Sequence, residues 1–287
     1  MQTPYATGRY TAAAILSRPR PTAPMTSQLL FGEPVRILEA VERYSRVAVE
    51  EDGTEGFVLT DQLAPAEPAA YRRQTEEAAF ALELFCPVFS NDYGMPVTFG
   101  ARLPDYDGIQ LLHDGQRLRY SGQALLGPRK APEPELMIRL ARKWLYVPEL
   151  PGGRTPTGVG GPELIQLLAR LAGVRLPRDA NAMSRQGRGV DFVEQCQEAD
   201  LAFFDDDRGR LRHVGILLPD SQILHVSGRV RIDRLDHFGI FDLERRRYTH
   251  RLRVVRRVLP DVPRSAALTL DKRVTEAGDQ NQQVLIF

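Results

Sequence analysis

Two histidines in the last third of the chain are the side chains best suited to chemistry. His213 lies in the segment HVGI and His225 in the segment HVSG. A neutral imidazole beside a thiol or hydroxyl can accept its proton, and a third polar group can orient that imidazole. Histidines on isolated strands are more often core or rim residues. The pair therefore needs a nucleophile nearby before catalysis can be inferred.

The chain has only two thiols, Cys86 and Cys196. Two cysteines do not make a disulfide framework, which favours a reducing compartment. Cysteines outside disulfides usually behave as small buried hydrophobes, and a nucleophile would need hydrogen-bond reach to His213. We expect neither thiol to serve as one. There is no CxxC motif and no HxxxH pair, so we also expect no metal site and no cofactor.

A helix is predicted to begin at Gly161, in the segment GPELIQLLARLAG. Its leucines repeat with helical spacing, and Gly173 is placed to end it. Pro162 suits the first turn and Glu163 complements the helix dipole, so we interpret both as helix-stabilising residues. The first turn of a helix is also where backbone N–H groups stabilise a thiolate. A glycine stands at that position here.

Short strands with turn signals dominate the N-terminal half. Strands are predicted at 10–16, 34–38, 44–50 and 55–59, and again at 80–85, 95–99, 109–112 and 116–120. A helical linker is predicted at 66–77, a proline-rich junction at 128–135 and a helix at 136–145. The polar segment after residue 259 is predicted to be a tail.

Three segments together resemble the catalytic core of the NlpC/p60 cell-wall peptidases: GVGGPELIQLLARLAGVRLPRDA (158–180), DLAFF (200–204) and HVGILLPDSQILHVSGRVRID (213–233). The segment 28–65 resembles a bacterial SH3 domain. VTFGARLPDYDG resembles the second SH3-like domain of the three-domain enzymes that recycle cell-wall peptides in the cytosol. The resemblance implies an α+β fold, with a papain-like NlpC/p60 domain preceded by two small all-β SH3-like barrels.

The domain boundaries implied by this resemblance are 1–66 for the first SH3-like domain and 67–128 for the linker helix with the second. The peptidase-like domain then covers 129–259, and the tail covers 260–287.

The resemblance assigns the site residue by residue. The family helix opens with a pattern close to G-I-D-C-S-G-L-V-Q, and here the cysteine position is Gly161. His213 matches the catalytic histidine and His225 the third polar position. Without a thiol they have nothing to deprotonate, so we assign them binding or packing roles. The domain is therefore expected to have lost its chemistry.

Three further residues are candidate ligand contacts. The family segment P-Y-L-W-G-G-R reads PELPGGR here, so Glu149 replaces the tyrosine that orients substrate, and Arg154 is retained. Asp179, in LPRDA, matches an aspartate that holds the free amine of the substrate's N-terminal L-alanine. The alternative for Arg178 and Asp179 is a surface turn or a helix N-cap, where Asp is favoured.

The amino-acid composition argues against some classes of binding partner. With 38 basic and 37 acidic residues the net charge is +1, which argues against nucleic acid or an anionic membrane. No apolar run approaches the about 18 residues that a membrane-spanning helix needs. The apolar stretch at 12–16 is too short for a secretory signal, so we expect a cytoplasmic protein.

Three functions follow. The leading hypothesis is a catalytically inactive relative of γ-D-glutamyl-L-diamino acid endopeptidases. It would bind a cell-wall-derived peptide such as L-Ala-γ-D-Glu-diaminopimelate, or a protein partner. The second is an active hydrolase in which Glu149 or Glu163 activates water beside His213. General-base catalysis alone accelerates a reaction by only about 10²–10⁴-fold, which disfavours this second hypothesis. The third is a scaffold whose SH3-like domains bind a protein.

Overall fold

The computed structural model describes residues 3–76, 79–127, 133–191, 195–206 and 208–260. The predicted tail lies outside these residues apart from Pro260, as does most of the predicted junction at 128–135. Within the described ranges, no helix combines the length and apolar character needed to cross a bilayer.

The first module is one antiparallel sheet of seven strands in the order β3-β2-β6-β5-β4-β1-β7. The strands are β1 (Tyr5–Gly8), β2 (Ala12–Leu16), β3 (Met25–Leu30), β4 (Pro34–Val41), β5 (Tyr44–Val49), β6 (Glu55–Leu59) and β7 (Leu63–Pro65). Alternating apolar residues such as Ile15 and Val47 fill its core. The four predicted strands correspond to β2, β4, β5 and β6.

Helix α1 (Pro68–Glu76) leads into a second module made of two small sheets. These contain β8 (Ala79–Ala81), β9 (Phe85–Phe89), β10 (Gly94–Thr98), β11 (Arg102–Leu103), β12 (Gln110–His113), β13 (Gln116–Tyr120) and β14 (Ala124–Leu125). The single strand predicted at 80–85 is wrong. The chain leaves one sheet at Leu82 and enters the other at Phe85, because β8 pairs with β11 and β14 whereas β9 pairs with β10 and β13.

The third module packs helices against a strongly curved sheet. Its helices are α2 (Pro134–Arg142), α3 (Gly161–Leu171) and α4 (Ala180–Met183). A two-stranded ribbon, β15 (Arg154–Thr155) and β16 (Gly158–Val159), precedes α3. The sheet contains β17 (Arg188–Val190), β18 (Leu201–Asp205), β19 (Leu211–Leu218), β20 (Gln222–Ser227), β21 (Arg229–Leu235), β22 (Gly239–Asp242) and β23 (Arg247–Arg257). Additional pairing between β22 and β23 closes it on itself.

Helix α3 is the central element of the molecule. Its leucines pack against the outer face of β19 and β20 in the largest apolar cluster, which also includes Leu30 of the first module and Phe99 of the second. Gly173, with φ of +90°, ends the helix as predicted. Because α3 lies between the curved sheet and both β modules, even its polar residues Gln166 and Arg170 are buried.

Buried ion pairs join the first module to the third. Glu33 accepts from Arg154 at 2.7 and 2.8 Å and from Arg170 at 2.8 Å. Arg170 also donates to Glu51 at 2.7 Å. Burial alone would raise the pKa of Glu33, but the two guanidinium groups outweigh it and hold that pKa far below its usual range. These charges hold the last turn of α3 and the ribbon before the helix against the first sheet.

Candidate functional site

The N-terminus of α3 lies against the two strands that carry the predicted histidines. Gly161 is the first helical residue, and Gly160 is the extended N-cap. A Cβ on Gly161 would lie 3.8 Å from both the Val214 carbonyl oxygen and Val226 Cβ. These are the residues immediately after His213 and His225. The structure thus brings the three predicted family positions together, with ordinary van der Waals room for a side chain at 161.

The two histidines are hydrogen-bonded to each other. Their strands pair so that His225 is opposite Gly215, and the His213 Nε2 and His225 Nδ1 atoms are 3.0 Å apart. The other nitrogen of His225, Nε2, is 2.9 Å from Asp233 Oδ2. His213 is the third residue of β19, because pairing with β18 extends the strand back to Leu211.

His250 of β23 completes a cluster that the sequence did not indicate. Its ring stacks on His213 with a centroid distance of 4.0 Å and an interplanar angle of 22°. One ring nitrogen from each of His213, His225 and His250 lies within 4.8 Å of the other two. The segment YTHRLRVV carries no motif, and His250 reaches the cluster only because β23 pairs with both β18 and β22.

The electrostatics favour neutral imidazoles at His213 and His250. Burial, and then the neighbouring His250 and His225, hold the pKa of His213 well below its usual value. Burial and the nearby His225 lower the pKa of His250 to about 4. Burial would raise the pKa of Asp233, but hydrogen bonds from His225, Leu243 and Arg231 outweigh it and lower that pKa. Asp233 is therefore a fixed anion behind His225.

Glu163 occupies the space in front of the helix N-terminus. A Cβ on Gly160 would overlap its carboxylate, so the two are in close contact. Burial raises the pKa of Glu163, although the backbone N–H groups of Glu163 and Gly152 act in the opposite direction. This placement agrees with the predicted helix-stabilising role.

A groove of about 920 Å³ opens beside this helix start, between the first and third modules. Thr26, Asp52 and Thr54 line one side of the groove, and Pro162, Glu163, Arg178, Asp179, Arg210 and Arg212 are among the residues lining the other. Neither His213 nor His225 is among the described residues that line it. The groove is polar and has both signs of charge.

Asp179 and Arg178 have different environments in this groove. Asp179 is exposed and is the N-cap of α4, accepting from the Ala182 N–H at 2.8 Å. The Arg178 side chain is buried, forms an ion pair with Asp52 and donates to Ser27 Oγ at 2.7 Å. The alternative of a surface turn therefore does not describe Arg178, which connects the two modules. The N-cap alternative holds for Asp179, whose carboxylate still lines the groove.

The other candidate ligand contacts lie elsewhere. Arg154 is fully buried and forms an ion pair with Glu33. Its guanidinium therefore has a structural role, and the predicted ligand contact at Arg154 is wrong. Glu149 is exposed outside the described lining of the groove and accepts from the Gly228 N–H at 2.6 Å. Cys86 and Cys196 are both half-buried, and each packs against an apolar cluster.

Comparison with known proteins agrees with this geometry. The family model for the bacterial dipeptidyl-peptidase Sh3 domain matches residues 15–63, and that for the NlpC/P60 family matches residues 150–249. Residues 150–249 form an NlpC/P60 domain. The matched region contains Gly161, His213 and His225, and the Sh3 match covers most of the first sheet.

Similar proteins align over most of the chain. The chain is 24% identical over 226 residues to a γ-D-glutamyl-L-lysine dipeptidyl-peptidase of Bacillus cereus, covering 70% of this chain and 67% of the relative. A crystal structure of an NlpC/P60 family protein from Bacillus cereus aligns with a TM-score of 0.77 at 19% identity, over 89% of this chain and all of that one. An NlpC/P60 endopeptidase from Photobacterium damselae aligns with a TM-score of 0.66 at 14% identity, over 88% and 70%. The fold is thus α+β, with an NlpC/P60 domain after SH3-like β modules.

Proposed function

We propose that this NlpC/P60 protein binds a short peptide in the groove between its first and third modules and does not cleave it by cysteine chemistry. The observation that carries the proposal is Gly161 at the start of α3, beside the strands of His213 and His225. A thiol attached there would be next to the histidines. The residue present has no side chain.

Residual hydrolysis without a thiol is disfavoured by the arrangement of the remaining groups. Neither the His213 ring nor the His225 ring is among the described residues that line the groove. Glu163 is held over the helix start by backbone N–H groups. General-base catalysis by such a group would accelerate the reaction by only about 10²–10⁴-fold, far less than peptide hydrolysis needs.

The ligand class follows from the groove and from the relatives. Asp179 offers an exposed carboxylate for a free amino group, and Arg210 and Arg212 offer cations for carboxylates. The Bacillus cereus relative is named for cleavage at γ-D-glutamyl-L-lysine. A cell-wall-derived peptide such as L-Ala-γ-D-Glu-diaminopimelate, with one amino terminus and several carboxylates, fits this polarity. We place this binding in the cytoplasm, where such peptides are recycled.

Calorimetric titration of the full chain with this peptide, comparing wild type with Asp179→Asn, tests the proposal. Asn remains a good N-cap, so the substitution removes the charge and leaves α4 capped. We expect binding by wild type and an affinity at least about tenfold weaker in the variant, as for loss of a charge-assisted hydrogen bond.

Two controls make this experiment specific. Asp92→Asn changes an exposed aspartate in the second module and should bind the peptide like wild type. An N-acetylated peptide lacks the cationic amine and should bind wild type and Asp179→Asn equally weakly. Wild-type binding that Asp179→Asn leaves unchanged would remove Asp179 from the site. No binding by wild type would shift the function to a protein partner.

A further inference from the structure

Three imidazoles converge from three different strands at one end of the curved sheet. His213 comes from β19, His225 from β20 and His250 from β23. One nitrogen of each ring lies within 4.8 Å of the other two. The peptide groove does not need this arrangement, because none of the three is among the described residues that line it.

The spacing of these nitrogens is close to that of a metal site. Zinc binds imidazole nitrogen at about 2.0–2.1 Å in a tetrahedron, which places ligand nitrogens about 3.3 Å apart. The His213 Nε2 and His225 Nδ1 atoms are already 3.0 Å apart. To place all three around one ion, the largest separation between these nitrogens must shorten by up to about 1.5 Å, with the stacked rings of His213 and His250 opening. We propose that His213, His225 and His250 bind a single Zn²⁺ ion.

Groups behind the rings orient them for this role. Asp233 Oδ2 accepts from His225 Nε2 at 2.9 Å, which leaves His225 Nδ1 as the acceptor of the hydrogen bond from His213 Nε2. Zinc would replace this hydrogen bond, with the proton of the neutral His213 ring moving from Nε2 to Nδ1 so that Nε2 can bind the ion. At zinc sites, a histidine that binds the metal through one ring nitrogen usually donates a hydrogen bond from its other ring nitrogen, often to a carboxylate. Asp233 is itself fixed by Arg231 and by the Leu243 N–H. On the third ring, Thr249 Oγ1 is 2.9 Å from His250 Nδ1, which leaves Nε2 for the ion.

The ligand type selects the metal. Neutral imidazole suits zinc and the later transition metals, whereas magnesium and calcium prefer oxygen ligands. The cluster is half-buried at His213 and His250 and buried at His225. Three protein ligands leave a fourth tetrahedral position for water. Zinc binding here is independent of the peptide groove, and the two proposals can fail separately.

The test is a calorimetric titration of the chelator-treated full chain with ZnCl₂ alone, with metal content measured after gel filtration. We expect one zinc per chain in wild type and affinity at least about tenfold weaker in His250→Ala, which removes the ligand outside the family positions. Asp233→Asn should weaken binding by about 10- to 100-fold, as for loss of an outer carboxylate.

Matched controls separate this site from other zinc ligands. His237→Ala removes an exposed histidine outside the cluster, and Cys86→Ser with Cys196→Ser removes both thiols. These variants should bind zinc like wild type. Co²⁺ in place of Zn²⁺ should give the visible absorption of a tetrahedral nitrogen site in wild type and not in His250→Ala. Circular dichroism of His250→Ala establishes that the variant is folded.

Three outcomes would overturn the proposal. The first is wild type that binds no stoichiometric zinc, and the second is folded His250→Ala that binds it as tightly as wild type. The third is loss of binding in the cysteine variant, which would place the ion on the thiols.

Discussion

Gly161 determines what the helix start can do. Its ideal Cβ position has only Val214 and Val226 nearby, both at 3.8 Å, whereas one residue earlier a Cβ would overlap the carboxylate of Glu163. The two adjacent glycines therefore differ in how much space each would leave for a side chain. At Gly160 a side chain would displace the carboxylate of Glu163, whereas Gly161 leaves room in which a side chain would fit.

Alanine substitutions at Gly160 and Gly161 should therefore have different effects on the free energy of unfolding. Gly161→Ala should leave the free energy of unfolding unchanged or raise it by up to about 1 kcal/mol, since Ala favours the helical backbone. Gly160→Ala should lower it by about 1 kcal/mol, because the half-buried Glu163 carboxylate must rotate away from the backbone N–H groups that it contacts. Urea unfolding of both variants checks this. Equal effects at the two positions would contradict the packing described here.

Restoring the thiol should not restore cleavage. Gly161→Cys fits sterically, but Glu163 lies over the helix start and neither His213 nor His225 is among the described residues that line the groove. We expect little or no turnover of L-Ala-γ-D-Glu-diaminopimelate by this variant, measured by mass spectrometry, with Gly161→Ala as the control. Robust cleavage by Gly161→Cys that iodoacetamide abolishes would show that the site retains more catalytic geometry than we infer.

At the scale of elements, β12 of the second module docks on the first module through His113. The ring of His113 is buried against Phe31, with 4.3 Å between the centroids. Burial lowers the pKa of His113 to about 4. A neutral imidazole thus stabilises the contact between these two modules.

This contact should weaken in acid. His113 becomes protonated near pH 6.5 in the unfolded chain and near pH 4 when folded, so its contribution is complete above 6.5 and is lost as the pH falls through 4. Between these values wild type should lose stability relative to His113→Phe by up to about 1.4 kcal/mol per pH unit. Urea unfolding at several pH values measures this, and His237→Phe, at an exposed site, should follow wild type. Parallel profiles for wild type and His113→Phe would contradict it.

The helices and strands show which parts of the fold can be predicted from the sequence alone. The periodicity of residues 161–171 and the turn at 52–53 predicted α3 and the hairpin of β5 and β6, because both depend on local spacing. The break between β8 and β9 was missed, since strand pairing across two sheets decides it. His213 and His225 came from a resemblance in short motifs. His250 did not, because only closure of the sheet brings β23 to them.

At the scale of the whole molecule, buried charges join the modules. Glu33 and Glu51 of the first module face Arg154 and Arg170 of the third, and Arg170 also donates to the Gly100 carbonyl oxygen of the second. These partners are 70–137 residues apart in sequence, so no local pattern reveals them. This is why Arg154 looked like a ligand contact from sequence and is a structural residue in the fold.

Breaking this network should cost much of the stability. Glu33→Gln leaves the buried Arg154 guanidinium without its anion and leaves Arg170 paired with Glu51 alone, which should lower the free energy of unfolding by about 3–5 kcal/mol. The control is Glu55→Gln, which breaks the exposed ion pair with Arg46 and should cost at most about 1 kcal/mol. Urea unfolding compares the two. Similar costs would mean that the buried charges do not hold the modules together.

The most direct test of the central claim is the mass of L-Ala-γ-D-Glu-diaminopimelate after long incubation with the full chain at a concentration where calorimetry detects binding. Iodoacetamide-treated and untreated protein are compared. The account predicts bound and intact peptide in both samples. Cleavage at the γ-D-glutamyl bond by untreated protein, lost on treatment, would place a working thiol in the molecule and contradict it. Cleavage that persists after treatment would contradict binding without hydrolysis.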